Sequence, residues 1–229
     1  MKQRRYFIAG TDTGVGKTQV SAALLLAAQA HGWRSLGLKP VAAGCVRVDG
    51  QLLNDDALLL QRCSNLSPAY TTVNPLALEP AIAPHIAAER AGITMHAKAL
   101  AEQVRAQEAG ADVLLVEGAG GWLVPLNQSE TMADLAAALA YPVILVVGMR
   151  LGCINHALLT ARAIGDAGLE LAGWVANTVA PEVEAFAENV RTLETRLPAL
   201  RLGTVPFLGA RCTPEQVNTW LDATSLFGA

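Results

Sequence analysis

The segment GTDTGVGKT at residues 10–18 decides the fold of this chain. An apolar run at 6–9 precedes it and predicts a strand, and the helix-forming run at 17–30 follows it. A glycine-rich loop between a strand and a helix points backbone N–H groups at an anion, and the helix N-terminus adds positive potential. The segment therefore predicts a loop that binds the phosphates of a nucleotide.

This loop departs at one position from the strict phosphate-loop pattern G-x-x-x-x-G-K-[ST]. Thr11 occupies the place of the first glycine, and Gly10 lies one residue earlier. In the phosphate-loop interpretation, Lys17 reaches the β- and γ-phosphates and the Thr18 hydroxyl ligates magnesium. The alternative is a glycine-rich turn that opens a helix, with a lysine that neutralises a nearby charge. The strand–loop–helix context favours the phosphate loop.

Beyond the loop, short β-rich runs alternate with helical runs, which is typical of right-handed βαβ crossovers and a mostly parallel sheet. The apolar runs VLLV at 113–116 and VILVV at 143–147 predict central strands buried on both faces. We expect an α/β fold: one phosphate-loop NTPase domain over 1–229, with helices on both faces of the sheet. The predicted strands are 6–9, 35–38, 113–116, 143–147, 171–175 and 202–205, and the predicted helices are 17–30, 55–63, 94–108 (capped by Thr94, closed by Gly110), 131–140, 155–167 and 181–196.

Composition restricts the possible partners. The net charge is −3 and no basic run is present, which argues against nucleic acid as a ligand. No apolar stretch has the length of a membrane span. The four histidines form no metal-ligand spacing, so no zinc site is expected, and the scattered cysteines indicate reduced thiols and a cytoplasmic protein. These cysteines are Cys45, Cys63, Cys153 and Cys212.

Three acidic or basic positions follow predicted strands or open a predicted helix. Glu117 directly follows the apolar strand at 113–116, where ligands bind in parallel sheets, and could hold magnesium or instead cap the next segment. Of Asp55 and Asp56, one is most simply a helix N-cap, which leaves a metal role for Asp56 open. Lys39 follows the strand at 35–38 and is either an ammonium beside the phosphate loop or a surface lysine.

Together these segments resemble the dethiobiotin synthetase family, the ATP-dependent ligases of the biotin pathway. The resemblance covers roughly residues 6–208, and its combination of motifs is specific. The matching segments are GTDTGVGKT at 10–18, LKPVAAG at 38–44, NDDAL at 54–58, PHIA at 84–87, VEGAGGW at 116–122, VILVVGMRLGCINHA at 143–157 and LAGWVAN at 171–177.

The resemblance implies closure of a ureido ring on 7,8-diaminononanoate. Carbon dioxide adds to the 7-amino group, the resulting carbamate attacks the γ-phosphate of ATP, and the 8-amino group captures the mixed anhydride. Dethiobiotin, ADP and phosphate are the products. The carbamate and the transferring phosphoryl group are both anionic, so they require fixed positive charge.

The resemblance also implies which residues form the site. Lys17, Lys39 and Thr13 would be catalytic, with magnesium held by Thr18, Asp56 and Glu117. ATP would contact Gly14, Val15, Gly16, Lys17, Thr18, Gln19, Asp56, Glu117, Gly118, Ala119, Gly120, Asn177, Thr178, Pro206, Phe207 and Leu208. The substrate would contact Thr13, Lys39, Ala43, Pro84 and Gly121, with Gly152, Cys153, Ile154 and Asn155 of a second subunit receiving its carboxylate in a homodimer. The alternatives for this last loop are an N-cap role for Asn155 and a packing turn at Gly152.

Two positions depart from the family pattern. Ala43 stands where relatives usually carry Ser or Thr, so one hydrogen bond to substrate or carbamate is expected to be missing. Thr178 stands where an acidic residue is common, which concerns nucleotide selectivity.

Other functional classes make different predictions. A septum-site or plasmid-partition switch ATPase would carry a second lysine at the position of Asp12 and would turn over ATP without the diamine. A small-molecule phosphotransferase would leave a phosphorylated product, whereas the ligase frees phosphate. A corrinoid-pathway amidotransferase adds a glutaminase domain for which this length leaves no room. A non-catalytic nucleotide-binding module would bind ATP without turnover.

Overall fold

The computed structural model describes residues 4–209 and 212–228. Its main sheet has six strands in the order β10-β9-β8-β1-β7-β2, and every neighbouring pair is parallel. The strands are β1 (Arg4–Gly10), β2 (Ser35–Leu38), β3 (Val41–Ala43), β4 (Val46–Val48), β5 (Gln51–Leu53), β6 (Leu76–Leu78), β7 (Val113–Glu117), β8 (Val143–Met149), β9 (Leu171–Thr178) and β10 (Arg201–Val205).

Helices cover both faces of this sheet, as the sequence predicts. The helices are α1 (Lys17–Ala30), α2 (Asp55–Cys63), α3 (Tyr70–Val73), α4 (Pro84–Arg90), α5 (Ala97–Arg105), α6 (Met132–Leu139), α7 (Cys153–Asp166), α8 (Phe186–Arg196), α9 (Pro214–Asn218) and α10 (Thr224–Phe227). One core layer takes its helical residues from α4 to α8, and the other takes them from α1, α2, α3, α9 and α10.

The two continuously apolar runs form the central strands beside β1. Every residue of β7 and of β8 is buried, and β1 pairs with β7 on one side and β8 on the other. The phosphate loop leaves the carboxyl end of β1, and Glu117 ends β7, the neighbouring strand. Parallel strands end at one edge, so this topology places the loop beside Glu117.

Several predicted helix limits are wrong. The helix predicted at 94–108 is shorter, because His96 is the N-cap in extended conformation and a separate 3₁₀ turn covers Glu108–Gly110, so Thr94 caps nothing. The helix predicted from 181 begins at Phe186, because Ala185 adopts a left-handed conformation that interrupts the helix. Helix α7 starts two residues earlier than predicted, since Gly152 is its N-cap at φ 91°.

The excursion at 41–93 contains small elements that the sequence does not predict. β3 pairs with β6 in parallel, β4 and β5 form an antiparallel hairpin, and α3 and α4 are short helices. Across the described residues, no helix is both long and apolar enough to cross a membrane.

Candidate active site

The loop at 10–18 folds back on itself at the end of β1. A methyl group on Gly10 would lie 2.8 Å from Cγ2 of Val15, so the loop needs a glycine there. Gly16 is the N-cap of α1 at φ 90°, a conformation that L-residues with a side chain rarely adopt. The first turn of α1, which has N–H groups without helical partners, therefore begins directly at Lys17.

The Lys17 ammonium lies inside this loop. Its Nζ donates to the carbonyl oxygens of Asp12 at 3.0 Å and Gly120 at 2.7 Å. Burial lowers the pKa of Lys17 to about 8; Glu117 opposes that shift, and Lys39 adds to it. A negative phosphate at this position would stabilise the charged form of Lys17.

Glu117 joins the loop to a second lysine. Its side chain is buried, and Oε1 accepts from the Thr18 hydroxyl at 2.8 Å and from Lys39 Nζ at 2.6 Å. Lys39 is only 5% exposed and also lies 3.1 Å from Asp56 Oδ2. The alternatives of a surface Lys39 and a capping Glu117 are therefore both wrong.

The pKa values in this cluster follow its charges. Burial disfavours the Lys39 ammonium, but Glu117 and Asp56 outweigh it and the pKa of Lys39 is raised. Burial likewise opposes ionisation of Asp56, yet Lys39 holds the pKa of that carboxyl below its ordinary value. The cluster is thus most stable as a buried ammonium between two carboxylates.

The N-cap of α2 is neither aspartate. Asn54 is the N-cap, and its Oδ1 accepts from the backbone N–H groups of Asp56 and Ala57. The prediction of an aspartate N-cap is wrong, because the preceding residue, Asn54, accepts the capping hydrogen bonds instead. Asp56 is left free to face Lys39 and the phosphate loop.

The donor set suits a magnesium ion. Glu117 Oε2 is buried and has no hydrogen-bond partner among the described residues, although a carboxylate oxygen in that position requires one. The Thr18 hydroxyl and the Asp56 carboxylate supply further hard oxygen atoms. Within 4–209 and 212–228 no group of three or more His, Cys, Asp and Glu side chains is placed to hold a metal ion. Magnesium is commonly bound by one or two carboxylates together with substrate phosphates.

A cavity of about 550 Å³ lies over the first turn of α1. It brings together many of the residues expected at the site and several that the sequence does not indicate. The expected ones are Thr13, Gly14, Gly16, Lys17, Thr18, Gln19, Lys39, Asp56, Glu117 and Gly120; the others are Asp55, Leu59, Arg62, Cys212, Thr213 and Pro214.

The missed residues come from two short elements. Leu59 and Arg62 follow Asp55 at helical spacing, so they share one face of α2. Thr213 caps α9 in a capping box with Gln216. The T-P-E-Q spacing is a readable helix-start signal, but nothing in it indicates that α9 begins beside the phosphate loop.

The residues expected around adenine lie outside this lining. Asn177 Nδ2 donates to the carbonyl oxygen of Val15 at 2.8 Å, and the Thr178 hydroxyl donates to the carbonyl oxygen of Val205 at 2.8 Å. A methyl group on Gly16 would lie 2.2 Å from Asn177 Nδ2. Asn177 therefore supports the phosphate loop directly. Pro206, Phe207 and Leu208 follow β10, with Phe207 43% exposed.

The VEGAGG segment packs closely against β1 and the phosphate loop. A methyl group on Gly118 would lie 3.0 Å from the Phe7 ring, and one on Gly120 would lie 2.7 Å from Val124. Ala119 is buried, and Gly121 lies opposite the carbonyl oxygen of Gly10. The absence of side chains lets this backbone reach Lys17.

The remaining expected substrate residues lie on separate elements, and none of them lines this cavity. Ala43 ends β3, and Pro84 begins α4. Gly152, Cys153, Ile154 and Asn155 open α7, so Asn155 is not the N-cap, and nothing within 4 Å would meet a methyl group on Gly152. The packing-turn alternative is therefore wrong. The Cys153 side chain is buried, and Leu151 before it is fully exposed.

The family scan matches residues 4–215 to a model described as an AAA domain. The chain is 52% identical to the ATP-dependent dethiobiotin synthetase BioD of Cellvibrio japonicus (strain Ueda107) over 229 residues, which is 100% of both chains. It is 54% identical to the protein of that name from Pseudomonas aeruginosa (strain UCBPP-PA14), over 96% of this chain and 97% of the relative. It is 49% identical to the ATP-dependent dethiobiotin synthetase BioD 1 of Escherichia coli (strain K12), over 94% of this chain and 95% of the relative.

Solved structures show the same fold at low identity. Chloroplast FtsY from Physcomitrella patens aligns with a TM-score of 0.52 and 19% identity, over 99% of this chain and 64% of that one. Cell division protein ftsY from Thermotoga maritima aligns with a TM-score of 0.51 and 13% identity, over 99% of this chain and 69% of that one. The chain spans about two thirds of these proteins, and the likeness shows a shared phosphate-loop NTPase-like fold.

Proposed function

This chain belongs to the ATP-dependent dethiobiotin synthetase family, and on this premise we propose how its residues perform the ring closure. The chain is an ATP-dependent cyclo-ligase of biotin biosynthesis. We treat residues 1–229 as one catalytic domain, and the two core layers on either face of the main six-stranded sheet support this.

The reaction takes two bond-forming steps after carbamate formation on 7,8-diaminononanoate. A carbamate oxygen attacks the γ-phosphorus of ATP, the bond between the γ-phosphorus and the β,γ-bridging oxygen breaks, and ADP leaves with that oxygen. The neutral 8-amino group then attacks the carbonyl carbon of the mixed anhydride. The C–O bond breaks, phosphate leaves with one carbamate oxygen, the amine loses its proton, and the ureido ring is closed.

Lys39 carries the proposal. It is an ammonium 2.6 Å from Glu117 and 3.1 Å from Asp56, buried beside the phosphate loop. The negative charge that shifts from carbamate to phosphoryl oxygen needs a cation that is already in place. We assign that task to Lys39. The phosphate loop holds Thr13, which we also assign to the catalytic site.

Lys17 and the backbone around it would hold the nucleotide. Lys17 would exchange its carbonyl partners at Asp12 and Gly120 for β- and γ-phosphate oxygens, which supply a stronger, charge-assisted bond. The N–H groups of the loop and of the first turn of α1 add donors, with Gln19 next to them. Gly118, Ala119 and Gly120 would approach the phosphates from the β7 side.

Thr18, Asp56 and Glu117 would hold magnesium. The partnerless oxygen of Glu117 supports this assignment. The ion supplies neutralisation of phosphate charge when it is bound. Lys39 contacts both carboxylates, so it would remain close to the transferring group.

The remaining ligand contacts follow the family pattern. The adenine would lie against Asn177, with Thr178 and the segment Pro206, Phe207 and Leu208 around it. The diamine would contact Ala43, Pro84 and Gly121. The lack of a hydroxyl at Ala43 leaves one hydrogen bond fewer for the carbamate or the diamine.

We propose a homodimer in which Gly152, Cys153, Ile154 and Asn155 of one subunit receive the substrate carboxylate held at the other. A helix N-terminus has unpaired N–H groups and positive potential, which suits a carboxylate. Leu151 is fully exposed, Leu159 is 62% exposed and Leu123 is 64% exposed, and contact with a second copy would cover such apolar surface.

We place the reaction in the cytoplasm, in keeping with four cysteines that are free thiols.

Phosphate release tests the proposed function. The purified protein with Mg-ATP, bicarbonate and 7,8-diaminononanoate should release phosphate and form dethiobiotin, with no release when the diamine is omitted. Release that does not depend on the diamine, or a stable phosphorylated diamine, would exclude it.

A further inference from the structure

The cavity over α1 extends well past the residues assigned to the transferring phosphate. Its floor includes Thr18 and Gln19, and one wall is the cavity-facing side of α2. Another part of the lining is Cys212 with Thr213 and Pro214, at the start of α9. A ligand that fills the cavity beyond Lys17 and Thr18 would place there a part of the nucleotide farther from the reacting γ-phosphorus.

The α2 wall changes character along its length. Asp55 and Asp56 lie at its N-terminal end, Leu59 one turn later, and Arg62 in the last turn. Six residues separate Asp56 from Arg62, which is about 9 Å along a helix axis. Helical side chains lean toward the N-terminus of their helix, so a long arginine in the last turn reaches back over the cavity.

Arg62 has no ion pair and no side-chain hydrogen bond to any residue that the structure describes. Most other arginines do, for example Arg34 with Asp112 and Arg201 with Glu194. Among the arginines that the structure describes, two others lack such a contact, Arg90 and Arg196, and neither lines this cavity. Arg62 is thus a cation without an ion-pair partner among the described residues, and it lines the cavity next to the phosphate loop.

No carboxylate among the described lining residues pairs with Arg62. Among the described lining residues, the only carboxylates are Asp55, Asp56 and Glu117, which lie with Thr18 and Lys39 in the proposed metal site or beside it. Gln19 lies on the floor with its Oε1 buried and without a partner in the described chain. A planar guanidinium matches phosphate oxygens in a bidentate manner, which a lysine cannot do.

We propose that Arg62 binds the α-phosphate of the nucleotide, which is not transferred, from the α2 wall. This proposal rests on the ATP site proposed above and adds a residue that recognises the nucleotide. The α-phosphate neither gains nor loses a bond in the reaction, and little charge develops on it, so a contact to it is about equally strong before and during phosphoryl transfer. It therefore tightens nucleotide binding and leaves the chemical step unchanged.

Arg62 has a competing structural role. A cation in the last turn of a helix interacts favourably with the helix dipole. Arg196 occupies the same place on α8, is exposed and lies outside the cavity, so it provides a matched control. If the dipole were the whole role of Arg62, both arginines would affect only thermal stability.

The test compares three variants with the wild type: Arg62→Ala, Arg62→Lys and Arg196→Ala. Calorimetric titration with Mg-ADP and Mg-ATP gives Kd, and steady-state phosphate release gives KM and kcat. Losing one charge-assisted hydrogen bond to phosphate weakens binding roughly tenfold. We expect Arg62→Ala to raise both Kd values and the KM for ATP by about that factor, with kcat within twofold. Arg62→Lys should fall between wild type and Arg62→Ala, and Arg196→Ala should match wild type.

Three results would overturn the proposal. The first is an unchanged Kd for both nucleotides in Arg62→Ala, and the second is weakening of ATP binding alone, which would place the contact on the γ-phosphate. The third is a fall in melting temperature of Arg62→Ala equal to that of Arg196→Ala without a change in Kd. The ADP titration needs no turnover, so it remains informative if the proposed ring closure is not observed.

Discussion

At the scale of single residues, the buried Lys39–Glu117 pair is the most costly feature of the site. Removing two charges from water costs several kcal/mol per ion, and their attraction offsets this only when the geometry is good. The pair has a 2.6 Å contact, with Asp56 on the other side of Lys39. Such an arrangement is a poor way to gain stability, but it is an effective way to hold a cation ready for an anionic transition state.

Replacing Lys39 tests this role. Lys39→Ala should lower kcat for phosphate release by roughly 10²–10³-fold, because fixed charge next to the transferring group is lost. The exposed Lys98 on α5 is the matched control, and Lys98→Ala should retain full activity. Melting temperature and the Kd for ADP, measured in the same samples, show whether Lys39→Ala is still folded. Activity of Lys39→Ala within a few-fold of the wild type would contradict the assignment.

The sequence predicts which residues form the site better than it predicts their surroundings. Lys17 and Thr18 can be predicted because they belong to the phosphate-loop motif, and Glu117 can be predicted because it directly follows a continuously apolar strand. The burial of Lys39 depends on tertiary contacts, such as the Asn74 side-chain amide that donates to the Lys39 carbonyl oxygen. Arg62 carries no local signal, since only packing of α2 beside α1 brings it to the cavity.

At the scale of elements, the phosphate loop and α1 depend on glycines with positive φ. Gly16 has φ 90° and Gly14 has φ 72°, so alanine at either costs about 1–2 kcal/mol of backbone strain. Only at Gly16 would the new methyl group collide with Asn177, and nothing lies within 4 Å at Gly14. Asn177 would then lose its bond to Val15, which is worth about 1 kcal/mol.

We therefore expect Gly16→Ala to lower the free energy of unfolding more than Gly14→Ala does, by about 1 kcal/mol or more. Urea unfolding followed by circular dichroism measures both values. Equal losses in the two variants would mean that Asn177 does not support the loop.

Element limits are predictable where local chemistry sets them. The limits of α1, β2 and α2 agree with the sequence because glycines, Pro40 and Asn54 mark their ends. The strands β3 to β6 have three residues each, too few for an alternating pattern to be read. The start of α8 is set by the left-handed Ala185, a conformation that alanine does not signal.

For the whole molecule, the proposed homodimer places the exposed leucines around α7 at the contact between the two copies. In that dimer the substrate carboxylate is received by the second subunit, so Leu151→Asp combined with Leu159→Asp should shift sedimentation from dimer to monomer and raise the KM for the diamine. Leu200→Asp is the control, since Leu200 is 68% exposed but precedes β10 at the opposite edge of the sheet. A wild-type chain that sediments as a monomer at full activity would contradict the dimer.

In the proposed mechanism a carbamate oxygen attacks the γ-phosphorus and leaves with phosphate during ring closure. Mass spectrometry can follow this oxygen in the phosphate formed from ¹⁸O-labelled bicarbonate, unlabelled ATP and the diamine in unlabelled water, at reaction times short enough to avoid isotope exchange with water. The mechanism predicts that label from the bicarbonate appears in the phosphate as one ¹⁸O atom. Phosphate that carries no label while dethiobiotin forms would show that water, rather than the carbamate, receives the phosphoryl group.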